Sequence, residues 1–256
     1  MKRQFSPWAL AIVAWSIWAA IVLGGEWLQV GGSTVSLGAL VSSQLVLALL
    51  AAPVFLLIVV ARRDWWRDVG FRFPSRLYEL RLLWLPALFI AGFFVLVAAS
   101  GLPPAKALGF IVINTLLVGF SEELMFRGIL LHGALSRFSV IAAVVICAIM
   151  FGAIHALNGV LTGDFVAASA QALQATLFGV WIAALRLRLN SIWPVIVIHA
   201  LWDLGIFLLP AGPAVQGSGQ LGLAAFFTPA LIELPLLLYG LWLLRGFRLR
   251  PASVVR

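Results

Sequence analysis

Residues 108–127 read LGFIVINTLLVGFSEELMFR, an apolar run that ends in two adjacent carboxylates and a guanidinium. A run of this length and composition is typical of a helix that crosses a lipid bilayer. Glu122, Glu123 and Arg127 are the charged members, and each such group costs roughly 2.5–3.5 kcal/mol to insert into a membrane. Because groups this expensive are seldom kept in a membrane helix without a task, the stretch predicts a membrane protein with a functional site.

The overall composition also indicates a membrane protein. Apolar residues make up 63% of the chain and charged residues only 10%, far from the average of soluble domains. The net charge of +8 is then better explained by membrane topology than by nucleic acid, so we expect a lipid bilayer and no nucleic acid as partner. The single cysteine, Cys147, excludes a disulfide framework within the chain and a cysteine-based metal site.

Eight apolar runs are long enough to cross a bilayer, which takes about 20 helical residues. They lie at roughly 8–28, 36–60, 82–100, 108–130, 139–157, 165–185, 193–210 and 224–244. The sequence therefore predicts an all-α polytopic membrane helix bundle with about eight transmembrane helices, forming a single integral membrane domain over residues 1–256. The first run begins where a signal peptide would, but its length, its tryptophans and the lack of a clear cleavage site favour a retained span.

The basic residues predict the orientation of this bundle. When eight spans alternate from a cytoplasmic N-terminus, all Lys and Arg residues except Lys106 fall on the cytoplasmic side. This asymmetry follows the positive-inside rule and would be lost with an odd number of spans. We therefore expect both termini to face the cytoplasm and the protein to reside in the plasma (inner) membrane.

The charged cluster at the end of the fourth run divides into two parts. Glu123 and Arg127 are spaced i,i+4 with the acid first, the favoured order for a helical ion pair, so we expect them to support the structure. Glu122 projects about 100° around the helix from Glu123 and is free for another task. A carboxylate in an apolar pocket is suited to act as general base or acid near neutral pH. The competing interpretation is a charge cluster that only fixes helix packing.

Two histidines lie in other apolar runs. His155 follows Phe151 by four residues and shares its helix face, and His199 precedes Asp203 by four residues. An Asp one turn from a His either orients the ring and sets its tautomer or acts with it on a reacting oxygen. A single His in an apolar helix is more often a core residue, but two of them with acidic neighbours favour a functional site. The third, His132, is expected at the membrane interface.

The motifs Glu-Glu-x-x-x-Arg, Phe-x-x-x-His and His-x-x-x-Asp, in this order on separate predicted helices, resemble those of the CAAX-protease and bacteriocin-processing family. Its members are type II CAAX prenyl endopeptidase-like intramembrane proteases, and the resemblance covers the motif-bearing core over residues 110–205. It implies an endopeptidase in which Glu122 activates a water, His155 assists it, and His199 with Asp203 stabilises the oxyanion. The last position carries Asp instead of Asn, and Asp must be protonated to donate a hydrogen bond as Asn does.

The sequence is compatible with more than one mechanism and function. Glu122, His155 and His199 are also candidate ligands for a divalent metal such as Zn²⁺, which would acidify a bound water; a metal-free pair of Glu and His is the other possibility. The substrate would be a peptide or a membrane protein. The rival functions are a transporter or channel with the buried acids as its ion path, and a non-catalytic immunity or binding relative. Against the first, the acids cluster at one site and the halves of the chain show no inverted repeat.

Overall fold

The computed structural model describes residues 6–74, 76–211 and 223–247, without the side chains of 210–211 and 223–229. All regular elements in these ranges are helical. The α-helices are α1 (Pro7–Gln29), α2 (Leu37–Ser43), α3 (Ala48–Arg63), α4 (Trp84–Ser100), α5 (Ala105–Glu123), α6 (Leu131–Leu135), α7 (Val140–Ala156), α8 (Asn158–Thr162), α9 (Phe165–Leu189), α10 (Trp193–Ala211) and α11 (Leu223–Leu244). Short 3₁₀ helices precede α4 (Leu77–Leu83) and follow α11 (Arg245–Phe247), and a π-helical turn (Leu124–Leu130) joins α5 to α6.

Six of the described helical segments are long and apolar enough to cross a membrane. They are Pro7–Gln29, Leu77–Ser100, Ala105–Leu135, Val140–Thr162, Phe165–Leu189 and Ala230–Phe247. Each coincides with a predicted run, which confirms the all-α membrane bundle. The count of about eight is approximate, because α2 and α3 make a seventh span only if they are taken as one, and α10 is a shorter apolar helix over Trp193–Leu209.

The second predicted run, 36–60, differs from the expected continuous helix. It is broken into α2 and α3, which meet at an angle of 87°. The break is held by two amide side chains, those of the buried Asn114 and the half-buried Gln29. Asn114 accepts a hydrogen bond from the amide of Val46 and donates to the carbonyls of Val41 and Gln44, while Gln29 bonds to the backbone on either side of Val46. Polar backbone at membrane depth needs such partners, so these side chains explain how the chain bends there.

The helices that carry the sequence motifs pack against one another at small residues. A Cβ on Gly119 of α5 would lie 2.8 Å from the backbone nitrogen of Ala200 on α10. A Cβ on Gly152 of α7 would lie 2.6 Å from the carbonyl oxygen of Ala172 on α9. Small residues allow membrane helices to approach closely, and here they bring α5 and α10 near enough for their polar side chains to meet.

Some of the basic residues that predict the orientation lie outside the described part of the chain. They are Lys2, Arg3, Arg248, Arg250 and Arg256. The sidedness of the bundle and the position of both termini therefore stay predictions.

Candidate active site

Glu122 and Glu123 end α5 directly before the π-helical turn, and the two carboxylates face different surroundings. The side chain of Glu123 is 0% exposed and that of Arg127 is 1% exposed, with Arg127 Nη1 donating to Glu123 Oε1 over 2.9 Å. The side chain of Glu122 is 15% exposed. Glu123 therefore lies in the sealed interior, while Glu122 reaches a space that a small molecule can enter. A π-helical turn is rare and is often found at functional sites.

Aromatic rings enclose the guanidinium of Arg127. Its Cζ atom lies 4.2 Å from the ring centroid of Phe151 and 5.8 Å from that of Phe178. Both rings come from helices next to the ion pair, α7 and α9, and a cation over an aromatic face is favourable where water is excluded. Arg127 thus contacts two neighbouring helices in addition to the carboxylate of Glu123.

The ring of His199, on α10, is surrounded by three carboxylates. Its Nδ1 lies 2.7 Å from Glu123 Oε1. Because the carboxylate paired with Arg127 only accepts hydrogen bonds, Nδ1 carries a hydrogen and donates it. Its Nε2 faces the other way, 3.6 Å from Glu122 Oε2 and 3.5 Å from Asp203 Oδ2. Glu123 therefore fixes the ring from its Nδ1 side, and Nε2 points toward the two partly buried acids, Glu122 and Asp203.

His155, near the end of α7, has its own fixed tautomer. Its Nδ1 lies 2.8 Å from the carbonyl oxygen of Phe151. A carbonyl oxygen only accepts, so Nδ1 donates, and in the neutral ring Nε2 is left with a lone pair. The ring of Phe151 contacts the rings of both His155 and His199, with centroids 4.6 Å and 5.9 Å away. The four-residue spacing thus places the carbonyl of Phe151 where it fixes the orientation of the His155 ring.

A cavity of about 350 Å³ lies in front of these side chains. Its lining includes all four residues predicted to carry the chemistry, namely Glu122, His155, His199 and Asp203. They come from α5, α7 and α10, and only the fold brings them together. The cavity is of a size found in ligand-binding pockets, and its walls combine apolar surface with a few polar groups.

Two further acids line the same cavity and were not singled out in the sequence. Glu26 on α1 is 9% exposed and Glu233 on α11 is 0% exposed. Glu233 Oε2 accepts a hydrogen bond from Trp181 Nε1 over 2.8 Å, and its Oε1 has no hydrogen-bond partner. Both are lone acids within apolar runs. The cost of burying an acid in an apolar run therefore marks them as it marks Glu122, but no motif with a histidine or an arginine lies beside them.

The structure does not group the predicted metal candidates as a metal site. Within the described ranges, no three His, Cys, Asp or Glu side chains are arranged to hold a metal ion. The Nδ1 atoms of His199 and of His155 both donate, to Glu123 and to the carbonyl of Phe151, which leaves Nε2 as the atom that could bind a metal. Since the described side chains do not gather three such ligands, the chemistry below uses the side chains alone. His132 lies outside this site and packs its ring against Trp65, with centroids 4.8 Å apart.

A comparison with known protein families finds a match over the helices that carry these side chains. Residues 104–205 match the model of the Rce1-like type II CAAX prenyl endopeptidase family. The resemblance predicted from the motifs is thus confirmed over this segment, which is less than half of the chain and contains the whole predicted core. The family description implies a protease, which is a hydrolase that acts on peptide bonds. The apolar helices make the chain itself an integral membrane protein. No curated protein and no solved structure significantly matches the chain.

Proposed function

We propose that this protein is a CAAX-type intramembrane endopeptidase that hydrolyses a peptide bond by means of a water activated by Glu122 and His155. The observation that supports it best is the shared cavity, because Glu122, His155, His199 and Asp203 all line it. Acids and histidines within membrane helices are costly, and their convergence on one cavity favours a catalytic task over a packing role.

The first step uses two acceptors that line the cavity, the carboxylate of Glu122 and Nε2 of His155. Glu122 takes a proton from the water, whose oxygen forms a bond to the carbonyl carbon of the substrate. The Nε2 lone pair of His155 accepts a hydrogen bond from the second O–H of that water and so orients the water toward the carbonyl carbon. Glu122 then passes its proton to the leaving nitrogen. As the C–N bond breaks, the products are a carboxylic acid and an amine.

Negative charge develops on the carbonyl oxygen during this step and needs a donor. His199 has Nδ1 bonded to Glu123, so in the imidazolium form its Nε2–H points toward Glu122 and Asp203. We assign His199 to stabilise the oxyanion; Asp203 beside it can donate only as the neutral acid, since a carboxylate donates no hydrogen bond. A single oxyanion donor is worth about 2.7–4 kcal/mol of barrier in proteases.

Glu123 and Arg127 act through His199 and not on the substrate. Neither lines the catalytic cavity, and both are sealed from it. Their ion pair holds the acceptor that orients His199, so they are positioning residues in this proposal. Asp203, in contrast, is 19% exposed and approaches Nε2, which favours a role at the reacting oxygen over setting the tautomer of His199.

The experiment that tests this function compares membranes containing the wild-type chain with membranes containing Glu122→Gln. New peptide N-termini in the membrane proteome, read by terminal labelling and mass spectrometry, should appear with the wild type and be absent with the variant. Glu79→Gln is the matched control, because it removes an acid that does not line the cavity. Identical sets of termini for the wild type and Glu122→Gln would contradict the proposal, and an ion flux lost in that variant would favour a transporter.

A further inference from the structure

A second cavity, of about 320 Å³, lies apart from the catalytic one and shares none of its lining residues. We call it the basic cavity. Its lining consists of Pro7, Trp65, Arg67, Asp68, Arg72, Arg127, Leu131, His132, Leu135, Ser136, Arg186, Leu187 and Asn190. These residues come from the start of α1, the connection after α3, the end of the α5–α6 segment and the end of α9. The positive-inside rule assigns these helix ends to the cytoplasmic face.

The charge of the basic cavity is strongly one-sided. Four arginines line it, and among the described lining residues Asp68 is the one carboxylate; Arg127 is also paired with Glu123, which lies outside the lining. The arginines are close enough to disfavour each other's charge, because burial and the neighbouring Arg67 lower the pKa of Arg72. Like charges gathered in a partly buried space are unfavourable unless an anion lies between them. Electrostatics alone therefore favours a negatively charged occupant.

Two of these arginines have buried donors without an acceptor. Arg186 is only 5% exposed, and its Nε has no hydrogen-bond partner, although its Nη2 donates to the carbonyl oxygen of Asp68 over 3.3 Å. Arg127 is 1% exposed, and its Nη2 also has no hydrogen-bond partner. An unmade hydrogen bond costs more at a buried charged group than at a buried neutral one. Both donors belong to residues that line the basic cavity, where an anion would supply the acceptor.

The walls of the basic cavity are fixed before any ligand enters. Arg72 donates through Nε to the carbonyl oxygen of Asn190 over 2.8 Å and through Nη2 to its side-chain oxygen. Ser191 donates to the carbonyl oxygen of Arg72 over 2.6 Å, and the amide of Ile192 donates to that of Gly70 over 2.9 Å. The connection after α3 is thus tied to the end of α9, and Arg72 is held in position before a ligand enters.

We propose that the basic cavity binds a phosphate group through Arg67, Arg127 and Arg186. The guanidinium fork matches the oxygens of phosphate, and such charged hydrogen bonds are about twice as strong as neutral ones. Phosphates are available at this face both from anionic lipid headgroups and from soluble phosphorylated compounds. The site is independent of the catalytic proposal, but Arg127 belongs to both regions, since its Nη1 holds Glu123 while its Nη2 is available to the anion.

The test measures the thermal stability of the purified full chain in nanodiscs of neutral phosphatidylcholine. Inorganic phosphate is titrated against chloride at constant ionic strength, and a second series replaces part of the neutral lipid with phosphatidylglycerol. A ligand that binds only the folded state raises the Tm in proportion to the logarithm of its concentration, so each series yields an apparent Kd. Stabilisation in both series supports a site for the phosphate group. Stabilisation by inorganic phosphate alone supports the proposal and identifies a soluble anion as the source. Stabilisation by phosphatidylglycerol alone supports it as well and identifies the lipid headgroup.

Variants assign the effect to the basic cavity. Arg186→Gln and Arg67→Gln should each weaken binding by about tenfold or more, as expected for the loss of one charged hydrogen bond. Arg67 is exposed, so its variant remains informative if the buried Arg186 proves necessary for folding. Arg62→Gln removes the same charge from the end of α3 outside the cavity and should leave the apparent Kd unchanged. No stabilisation by either probe, or an equal loss in Arg62→Gln, would overturn the proposal.

Discussion

Replacing Arg127 by Met should destabilise the protein more than almost any other single charge removal. The change leaves Glu123 fully buried, and breaking a buried ion pair by removing one partner costs about 3–5 kcal/mol. His199 Nδ1 remains 2.7 Å from the same carboxylate and compensates in part, so we expect a value near 3 kcal/mol. Met keeps most of the packing volume against Phe151, which limits the contribution from a cavity.

The measurement is reversible unfolding of the purified chain in mixed micelles, with the unfolding free energy of Arg127→Met compared with that of the wild type. Arg62→Met is the matched control, and as an exposed charge at the end of α3 it should change stability by less than about 1 kcal/mol. Adding Glu123→Gln to Arg127→Met should recover part of the loss, because the buried charge is then removed as well. A loss below about 1 kcal/mol for Arg127→Met, or no recovery in the double variant, would refute the role of the pair.

Three further predictions concern the approach of the helices, the break between α2 and α3, and the topology. Gly119→Ala should push α5 away from Ala200 and lower the cleavage rate by roughly 10–100-fold, whereas Gly109→Ala, with open space around its Cβ, should leave the rate unchanged. Asn114→Ala should speed hydrogen exchange at the amide of Val46, since that amide loses its acceptor; unchanged exchange would show that the break is held otherwise. A reporter that works only in the cytoplasm should be active when fused to either terminus. Activity of a reporter that works only on the outer side would overturn the predicted eight-span topology.

Most of the fold was accessible from the sequence because membrane helices are specified by the length and hydropathy of each run. The bend between α2 and α3 was not, since the run 36–60 is apolar enough on average to pass as one span despite Ser42, Ser43 and Gln44. The bend depends on hydrogen bonds from Asn114, about 70 residues away. Hydropathy describes what a segment contacts on average. It does not report which distant side chain satisfies its backbone.

The candidate site shows the same limit. Spacing within one helix predicted the contact of Glu123 with Arg127, and the motifs selected the residues that line the cavity. The contact between Glu123 and His199 joins positions 76 residues apart, so no local spacing revealed it. It favours the second of the two roles left open for Asp203, action with His199 on a reacting oxygen, because Glu123 is the residue on the Nδ1 side of the ring. Asp203 instead lies on the same side of the ring as Glu122.

The proposed hydrolysis depends most directly on Glu122 as the general base. The decisive measurement is the cleavage rate of a substrate peptide, chosen from the proteomic comparison, by purified wild type, Glu122→Gln and Glu79→Gln in the same nanodiscs. Loss of a general base should reduce the rate by about 10²–10⁴-fold in Glu122→Gln with its thermal stability retained, while Glu79→Gln cleaves as the wild type does. A folded Glu122→Gln protein that cleaves within about twofold of the wild-type rate would contradict the account, because a general base cannot be removed at so small a cost.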